Sequence, residues 1–236
     1  MNTENNKEKD EKESPRKSTL REYAEAILVA FVLAFFIRTF VIQAFKIPSG
    51  SMEQNLLIGD HILVNKMIFA PITRNYEKKI LPIRNIKRGD IVVFKYPNNP
   101  SIDYIKRIIA LENETIEIKH KQIYIDGNPI KEVYKFHFDS GMESPVRDNF
   151  PPRKLPPGTY FAMGDNRDNS QDSRYWGFLA RDHIKGKALI IYWSEKADRS
   201  EYLPNKSFTE NLKDILNTLI HFFSKTRWER TFKLIK

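Results

Sequence analysis

Residues 26–45 read AILVAFVLAFFIRTFVIQAF, and Arg38 is the only charged side chain among them. Twenty helical residues extend ~30 Å, which is the thickness of the hydrocarbon core of a bilayer. The segment is apolar on every side, and Arg38 lies near one end, where its long side chain can reach the interface. We therefore predict a transmembrane anchor over residues 22–45. A buried helix of a soluble protein is the alternative, because the uninterrupted apolar part, Ala26–Ile37, has only twelve residues.

The residues before this segment indicate how the anchor is oriented. Residues 1–21 are almost entirely polar, and we predict that they form a disordered tail. The basic residues of this tail include Lys9, Lys12, Arg16, Lys17 and Arg21. Because positive charge stays on the cytoplasmic side, the N-terminus should be cytoplasmic and the chain beyond Lys46 extracytoplasmic. We predict a single-pass protein of the cell (inner) membrane.

Charge and composition narrow the classes of partner. The 236 residues carry a net charge of +9, which suits nucleic acid or an anionic membrane surface. The basic residues are spread along the chain and form no nucleic-acid-binding signature, so we predict a lipid bilayer as partner and no nucleic acid. The chain has no cysteine, which excludes thiol nucleophiles, thiolate metal sites and disulfides.

Beyond the anchor the pattern changes to short runs rich in β-branched residues. These runs predict strands at His61–Ala70, Ile91–Tyr96, Asp103–Leu111, Thr115–Lys121, Thr159–Met163 and Lys187–Trp193. Asp126-Gly127 between two apolar runs predicts a hairpin, and the prolines of Asp139–Pro157 predict a loop. The fold class is therefore mainly β, with a partly closed sheet.

A helix is predicted near the C-terminus. One face of it carries Leu212, Ile215, Leu216, Leu219, Ile220 and Phe223. Ser207 and Glu210 form a capping box in front of it. The helix either packs on the β domain or lies in the membrane interface, since the tail after it is basic.

A serine follows the anchor at a short distance along the chain, in the sequence Ile47-Pro48-Ser49-Gly50-Ser51-Met52. The residues from Phe45 to Ser51 span at most ~20 Å, so a nucleophile at Ser51 would act at the membrane interface. A serine nucleophile needs a base to accept its proton. The histidines, which are His61, His120, His137, His183 and His221, are scattered without a triad-like context.

Lys106 is the candidate base, within a predicted strand. Side chains alternate along a strand, so Tyr104, Lys106 and Ile108 share one face. A lysine between these neighbours loses hydration, and burial disfavours its charged form. Lowering its pKa from ~10.4 to near 7–8 requires ~4 kcal/mol. The alternative is an edge lysine whose stem covers apolar surface while its amine reaches water.

Residues 164–177 form a third constellation, GDNRDNSQDSRYWG. Its acidic residues suggest a calcium loop, but the EF-hand pattern fails because Arg167 stands where an acidic ligand belongs. We predict a polar turn with internal ion pairs, which could orient catalytic groups.

The anchor, the PSGSM of residues 48–52, the YIKR of residues 104–107 and the GDNRDNSQDSRYWGF of residues 164–178 occur in this order. Together they closely resemble the bacterial type I signal peptidases, the serine/lysine dyad leader peptidase family. The resemblance covers roughly residues 20–111 and 159–194, with a weaker echo at residues 227–230. It implies a catalytic domain of coiled antiparallel sheets over residues 46–200, in which residues 112–158 are a small variable insertion. Residues 201–236 are the predicted C-terminal helix and basic tail.

The resemblance also implies residue roles. Ser51 matches the nucleophile and Lys106 its general base. The Ser49 hydroxyl and the Ser51 amide match the oxyanion hole, and Ser170 matches a hydroxyl that orients the lysine. The remaining matches are a supporting ion pair (Asp172 and Arg174), two further family positions (Arg107 and Asp165) and residues near the substrate pocket (Met52 and Tyr104). The substrates implied are exported preproteins with signal peptides, cut without any metal or cofactor; the oligomeric state is not predicted.

The sequence departs from this family at two turns. After Met52 the family usually has x-Pro-Thr-Leu, whereas this chain has Glu53-Gln54-Asn55-Leu56. Glu112-Asn113 replaces a usual Pro-Gly turn after the strand of Lys106. The first change puts the turn geometry beside Ser51 in question. Met52, Leu56 and Leu57 are either core residues or lipid contacts.

Two other functions compete with this one. A self-cleaving repressor-type protease shares the dyad, but such a protein binds DNA and has no anchor. An inactive membrane-tethered β domain that binds peptides or scaffolds partners is the second alternative, and the altered turn keeps it open.

Overall fold

The computed structural model describes residues 19–70, 83–139, 144–196, 218 and 220–235. The chain divides into two compact units, Met1–Thr39 and Phe40–Lys236. Of the predicted C-terminal helix, the capping box and four of the six apolar positions lie outside the described residues.

The described part of the first unit contains an apolar helix, α1 (Thr19–Phe36), and a π-helical turn (Ile37–Val41) follows α1 across the unit boundary. The 23 residues of Thr19–Val41 are long and apolar enough to cross a membrane. No residue of α1 is buried by the protein itself. Lipid is the solvent in which such an exposed apolar surface is stable, so the helix fits a single membrane span.

The end of the predicted anchor is corrected by the structure. Residues 42–45, which the sequence assigned to the anchor, belong to a strand, β1 (Ile42–Lys46). This strand pairs antiparallel with β2 (Asp60–Asn65), from Ile42 opposite Asn65 to Lys46 opposite His61. In this segment, hydrogen bonds to β2 replace the backbone hydrogen bonds that a helix would form. The apolar pattern of β1 does not reveal that β2 is its partner, because β2 lies later in the chain.

The described part of the second unit is mainly β. Its remaining strands are β3 (Ile91–Tyr96), β4 (Asn99–Ala110), β5 (Thr115–Lys119), β6 (Gln122–Ile125), β7 (Asn128–Pro129), β8 (Phe150–Lys154), β9 (Thr159–Met163), β10 (Leu179–Ala180), β11 (Ile184–Ser194) and β12 (Lys233–Leu234). Its short helices are α2 (Pro145–Asp148), α3 (Ser173–Trp176) and α4 (Phe222–Lys225).

The strands form two antiparallel sheets. The first has the order β1-β2-β11-β3-β4-β9-β10, with β12 paired to β11, and the second has the order β7-β6-β5-β8. Register shifts interrupt the pairing of β11 with β2 and with β3. Such irregularities bend a strand and increase its twist. The mainly β class of the sequence prediction is confirmed.

Most predicted strands are present. Ile91–Tyr96 and Thr159–Met163 agree at both ends, and the Asp126-Gly127 hairpin joins β6 to β7 with positive φ at both residues. The prediction of a loop at Asp139–Pro157 was wrong in part, because α2 and β8 lie within it. The sequence did not predict β8 because the strand contains two prolines. It pairs with β5 alone, at the edge of the sheet, where proline is tolerated.

β4 is the strand on which the site depends. Its last six residues, Ile105–Ala110, are all buried. Ile105 belongs to the apolar cluster around β2 and β11, Ile108 to the one around β3 and β9, and Ile109 to the one between the two sheets. Any polar side chain in this part of β4 is therefore held in an interior of low polarity.

The described C-terminal residues pack on the first sheet. Phe222 stacks on Trp193 at 5.7 Å between ring centroids, and the Trp193 Nε1 donates to Thr226 Oγ1 at 3.0 Å. Arg230 is buried and donates to Asp60 Oδ2 at 2.6 Å. The weak family echo at residues 227–230 thus includes a buried ion pair.

Candidate active site

Ser51 lies in a 3-10 turn, Gly50–Met52, between β1 and β2. The next residues keep the turn compact, because the Leu56 N–H donates to the Met52 carbonyl at 2.8 Å. Met52 and Leu56 are fully buried in the apolar cluster below the turn. Their interpretation as core residues is confirmed and their interpretation as lipid contacts is wrong. The buried pair fixes the turn that presents the Ser51 hydroxyl.

Lys106 contacts Ser51 directly. The Lys106 amine donates to Ser51 Oγ at 2.7 Å, although 54 residues lie between them in the chain. Lys106 is 4% exposed, so the prediction of a solvated edge lysine is wrong. Its Nζ lies 5.4 Å from the centroid of the Tyr104 ring, as expected for residues on one face of β4. Burial lowers the pKa of Lys106 from 10.5 to about 8, against the opposing effect of Asp172 and Asp165.

The loop at residues 164–177 holds the Ser51 turn from the other side. The Asn166 N–H donates to the Ser51 carbonyl at 3.1 Å, and Asn166 Nδ2 donates to the Gly50 carbonyl at 3.1 Å. A Cβ at Gly164 would clash with the Ser51 carbonyl oxygen and with the Ser170 hydroxyl. Only glycine permits this close approach of the loop to the turn.

Arg107 and Asp165 form a buried ion pair behind the dyad. Arg107 Nε and Nη2 donate to the two carboxylate oxygens of Asp165 at 2.8 and 2.7 Å. The Arg107 guanidinium also stacks on the Tyr134 ring at 4.0 Å and donates to the Gly89 carbonyl at 2.9 Å. This bidentate geometry joins β4 to the start of the 164–177 loop.

Asp172 and Arg174 form a second buried pair within the loop. Arg174 Nε and Nη2 each donate to the Asp172 carboxylate at 2.8 Å. Asp172 also accepts from the Gly164 N–H at 3.1 Å, and Arg174 donates to the Arg167 carbonyl at 2.7 Å. The predicted polar turn with internal ion pairs is present. Within the described ranges no cluster of acidic or histidine side chains could hold a metal ion.

A cleft of about 450 Å³ opens beside the dyad. Five of the predicted site residues line it: Ser49, Ser51, Tyr104, Lys106 and Ser170. The other five, which are Met52, Arg107, Asp165, Asp172 and Arg174, are buried and are not among the residues that line the cleft. Met52 therefore supports the nucleophile turn from the core and does not lie in the pocket.

The two accessory serines differ in what the structure shows. Ser49 precedes the 3-10 turn in an extended conformation, and its hydroxyl does not cap that turn. Ser170 Oγ is buried and has no hydrogen-bond partner among the described residues, so it is not bonded to Lys106. Its role in orienting the lysine stays a prediction.

Comparisons with known proteins show the family of the chain. Residues 20–193 match the family described as "Signal peptidase, peptidase S26". The chain belongs to this family. The signal peptidase I of Pseudomonas aeruginosa is 34% identical over 220 residues, which cover 80% of this chain and 78% of that protein. The signal peptidase I of Aquifex aeolicus is 35% identical over 208 residues, covering 65% of this chain and 77% of that one. A crystal structure of a signal peptidase I from Enterococcus faecalis V583 is 31% identical with a TM-score of 0.39, and the match covers 44% of this chain and 97% of that one.

The sequence prediction for this signal peptidase missed residues that contact the 164–177 loop. Glu132 is buried and paired with Arg167, whose Nη1 donates to Glu132 Oε2 at 2.8 Å. The carboxylate of Asp168 lies 3.0 Å from His137 Nδ1. Glu132 and His137 lie in the 112–158 insertion, where no motif or periodicity marks them. Asp168 lies in the loop motif of residues 164–177, and this motif was the sequence feature that could have predicted its role.

The turn after Ser51 has a backbone that the usual signal peptidase sequence cannot adopt. Gln54 has φ of 76°, whereas proline, the residue usual in the family at this position, requires φ near −65°. Gln54 is exposed, so its side chain contributes little packing. The departure noted in the sequence is therefore a real difference in turn geometry.

We expect Gln54→Gly to raise the free energy of unfolding by up to about 1 kcal/mol, because glycine adopts positive φ without steric cost. Gln54→Pro should lower it, because the ring forbids the observed φ. Thermal unfolding in detergent measures both, with Gln54→Asn as the control that tolerates this conformation. A Gln54→Pro variant as stable as the wild type would show that residue 54 does not require the left-handed conformation.

Proposed function

We propose that Ser51 and Lys106 form a Ser/Lys dyad with which this membrane-anchored serine endopeptidase removes N-terminal signal peptides from exported preproteins. The observation that carries the proposal is the 2.7 Å hydrogen bond between Lys106 Nζ and Ser51 Oγ in a buried site. The pKa of about 8 supports it, because a substantial fraction of Lys106 is neutral near physiological pH.

The reaction begins when neutral Lys106 accepts the Ser51 hydroxyl proton as Oγ attacks the scissile carbonyl. The tetrahedral intermediate collapses when the Lys106 ammonium protonates the leaving amine, which leaves an ester on Ser51. Neutral Lys106 then removes a proton from a water molecule, which attacks the ester. The second collapse returns that proton to Ser51 Oγ and releases the acid product.

The oxyanion is assigned to the Ser51 N–H and the Ser49 hydroxyl. Ser49 lines the cleft and leaves the 3-10 turn uncapped, so its hydroxyl is not committed to the backbone of that turn. An oxyanion donor contributes ~3–4 kcal/mol to transition-state stabilisation. Ser170 lines the same cleft, and we propose that its hydroxyl restrains the Lys106 amine once substrate excludes water.

The substrate class follows from the position of the site along the chain. Signal peptides carry an apolar segment followed by small residues at the cleavage site. With the apolar segment in the bilayer, the cleavage site lies at the interface. We assign the N-terminus to the cytoplasm and the β domain to the extracytoplasmic side, because the basic residues of the tail precede α1.

The test is cleavage of a purified preprotein in detergent, with the cut site identified by mass spectrometry. Wild type should cut once, after a small residue beyond the apolar segment, and Ser51→Ala should be inert. Wild type that binds the preprotein without cutting it would support the alternative of an inactive peptide-binding domain. Equal cleavage by Ser51→Ala would refute the assignment of the nucleophile.

A further inference from the structure

We propose that Asn55 is a positioning residue of this peptidase, whose carboxamide holds the Ser51 turn in register with the Lys106 strand. The proposal deepens the proposed function and rests on it. Asn55 stands four residues after Ser51, in the turn that departs from the usual family sequence. It contacts neither the cleft nor the dyad, so it acts through other residues.

The Asn55 amide donates to Asp165 and to the backbone of Tyr134, two residues that contact Arg107. Its Nδ2 lies 2.8 Å from Asp165 Oδ2 and 3.2 Å from the Tyr134 carbonyl oxygen. Asp165 is the bidentate partner of Arg107, and the Tyr134 ring covers the face of the same guanidinium. The Asn55 carbonyl in turn accepts from Arg230 Nη2 at 2.9 Å. Asn55 thus fastens the end of the nucleophile turn on two sides.

These contacts close a ring through the active site. Starting from Ser51, the ring runs along the turn to Asn55, across hydrogen bonds to Asp165 and Arg107, one residue back along β4 to Lys106, and across 2.7 Å to Ser51 Oγ. The Ser51 turn and β4 are far apart in the chain. Only tertiary contacts can therefore fix the distance between them. A small displacement of reacting groups is costly, since about 1 Å of misplacement can lower a rate ~100-fold.

The side chain of asparagine suits this role better than the threonine usual at this position. A carboxamide nitrogen carries two donor hydrogens, whereas a hydroxyl carries one. Asparagine can therefore bind Asp165 and the Tyr134 carbonyl together, and threonine only one of them. The two donors offset the loss of the stiff proline at position 54, where Gln54 has φ of 76°.

The test compares Asn55→Thr with Asn55→Val, which have the same shape and differ in one hydroxyl donor. We expect Asn55→Val to lower kcat about 10- to 100-fold with KM nearly unchanged, and Asn55→Thr to stay within about fivefold of wild type. Asn55→Asp should also shift the acidic limb of the pH profile to higher pH. It adds negative charge beside Asp165, while the other charges acting on Lys106, those of Asp172 and Arg174, stay in place.

Asn149→Ala is the matched control, because Asn149 is also half-buried and accepts a backbone hydrogen bond, from the His120 N–H at 3.0 Å, in the second sheet. It should lower the melting temperature without changing kcat. Equal kcat for Asn55→Thr and Asn55→Val, or an activity loss that only follows the loss of folded protein, would overturn the proposal. Both outcomes presuppose an active wild type, so they are distinct from failure of the proposed function, in which wild type itself does not cleave.

Discussion

Replacing Lys106 by methionine is expected to lower kcat/KM for preprotein cleavage on the order of 10³-fold or more. Methionine keeps the length of the side chain but cannot accept the Ser51 proton. The Lys106 amine donates a hydrogen bond to Ser51 Oγ, and no histidine is among the described residues that line the cleft. The residual rate would come from the oxyanion donors and substrate binding alone.

The pH dependence of wild type tests the same assignment. Activity needs neutral Lys106, so kcat/KM should rise with pH through about 8, the pKa that burial gives this amine. Lys119→Met is the control for loss of a positive charge, since Lys119 is exposed in the second sheet. A transition near 6.5, typical of histidine, would contradict the dyad.

Lys106→Met should also be more stable than wild type below pH 8. The shift of the Lys106 pKa from 10.5 to about 8 corresponds to about 3 kcal/mol of unfavourable burial. The pKa is lower in the folded than in the unfolded state, so between about pH 8 and 10.5 the unfolded state binds more protons. Wild-type stability therefore rises with pH across that window, and the methionine variant lacks this rise.

Glu132→Ala is expected to lower the free energy of unfolding by about 3–5 kcal/mol, because it leaves the Arg167 charge buried without its partner. Arg167 is 1% exposed, and its Nε also donates to the Gly164 carbonyl at 3.1 Å. The variant should therefore disturb the 164–177 loop and lower activity as well. Chemical denaturation in detergent measures the change.

Two further variants make this second prediction specific. Glu117→Ala removes a carboxylate from the same insertion, where it pairs at 2.9 Å with the exposed Lys119, and should cost about 0–1 kcal/mol. The double variant Glu132→Met/Arg167→Met removes both charges and should recover most of the loss. A cost for Glu132→Ala as small as that of Glu117→Ala would show that the buried pair does not stabilise the loop.

The local patterns of the chain predicted much of the β domain. Alternation along β4 placed Tyr104 and Lys106 on one face, and Asp126-Gly127 predicted the β6–β7 hairpin. The predictions failed where a distant partner decides the state of a segment. Residues 42–45 look like the end of an apolar helix and pair instead with β2, and the prolines of β8 hide an edge strand.

Sequence alone determined the apolar span and the β character, and resemblance to a family predicted the two members of the dyad, because hydrophobic periodicity and a long motif are local properties. The tertiary structure decided that Lys106 is buried and in contact with Ser51, that Glu132 pairs with Arg167, and that Asn55 bonds to Tyr134. The physical reason is that these contacts join segments far apart in the chain. Their energy depends on burial and mutual geometry, which no short stretch of residues contains.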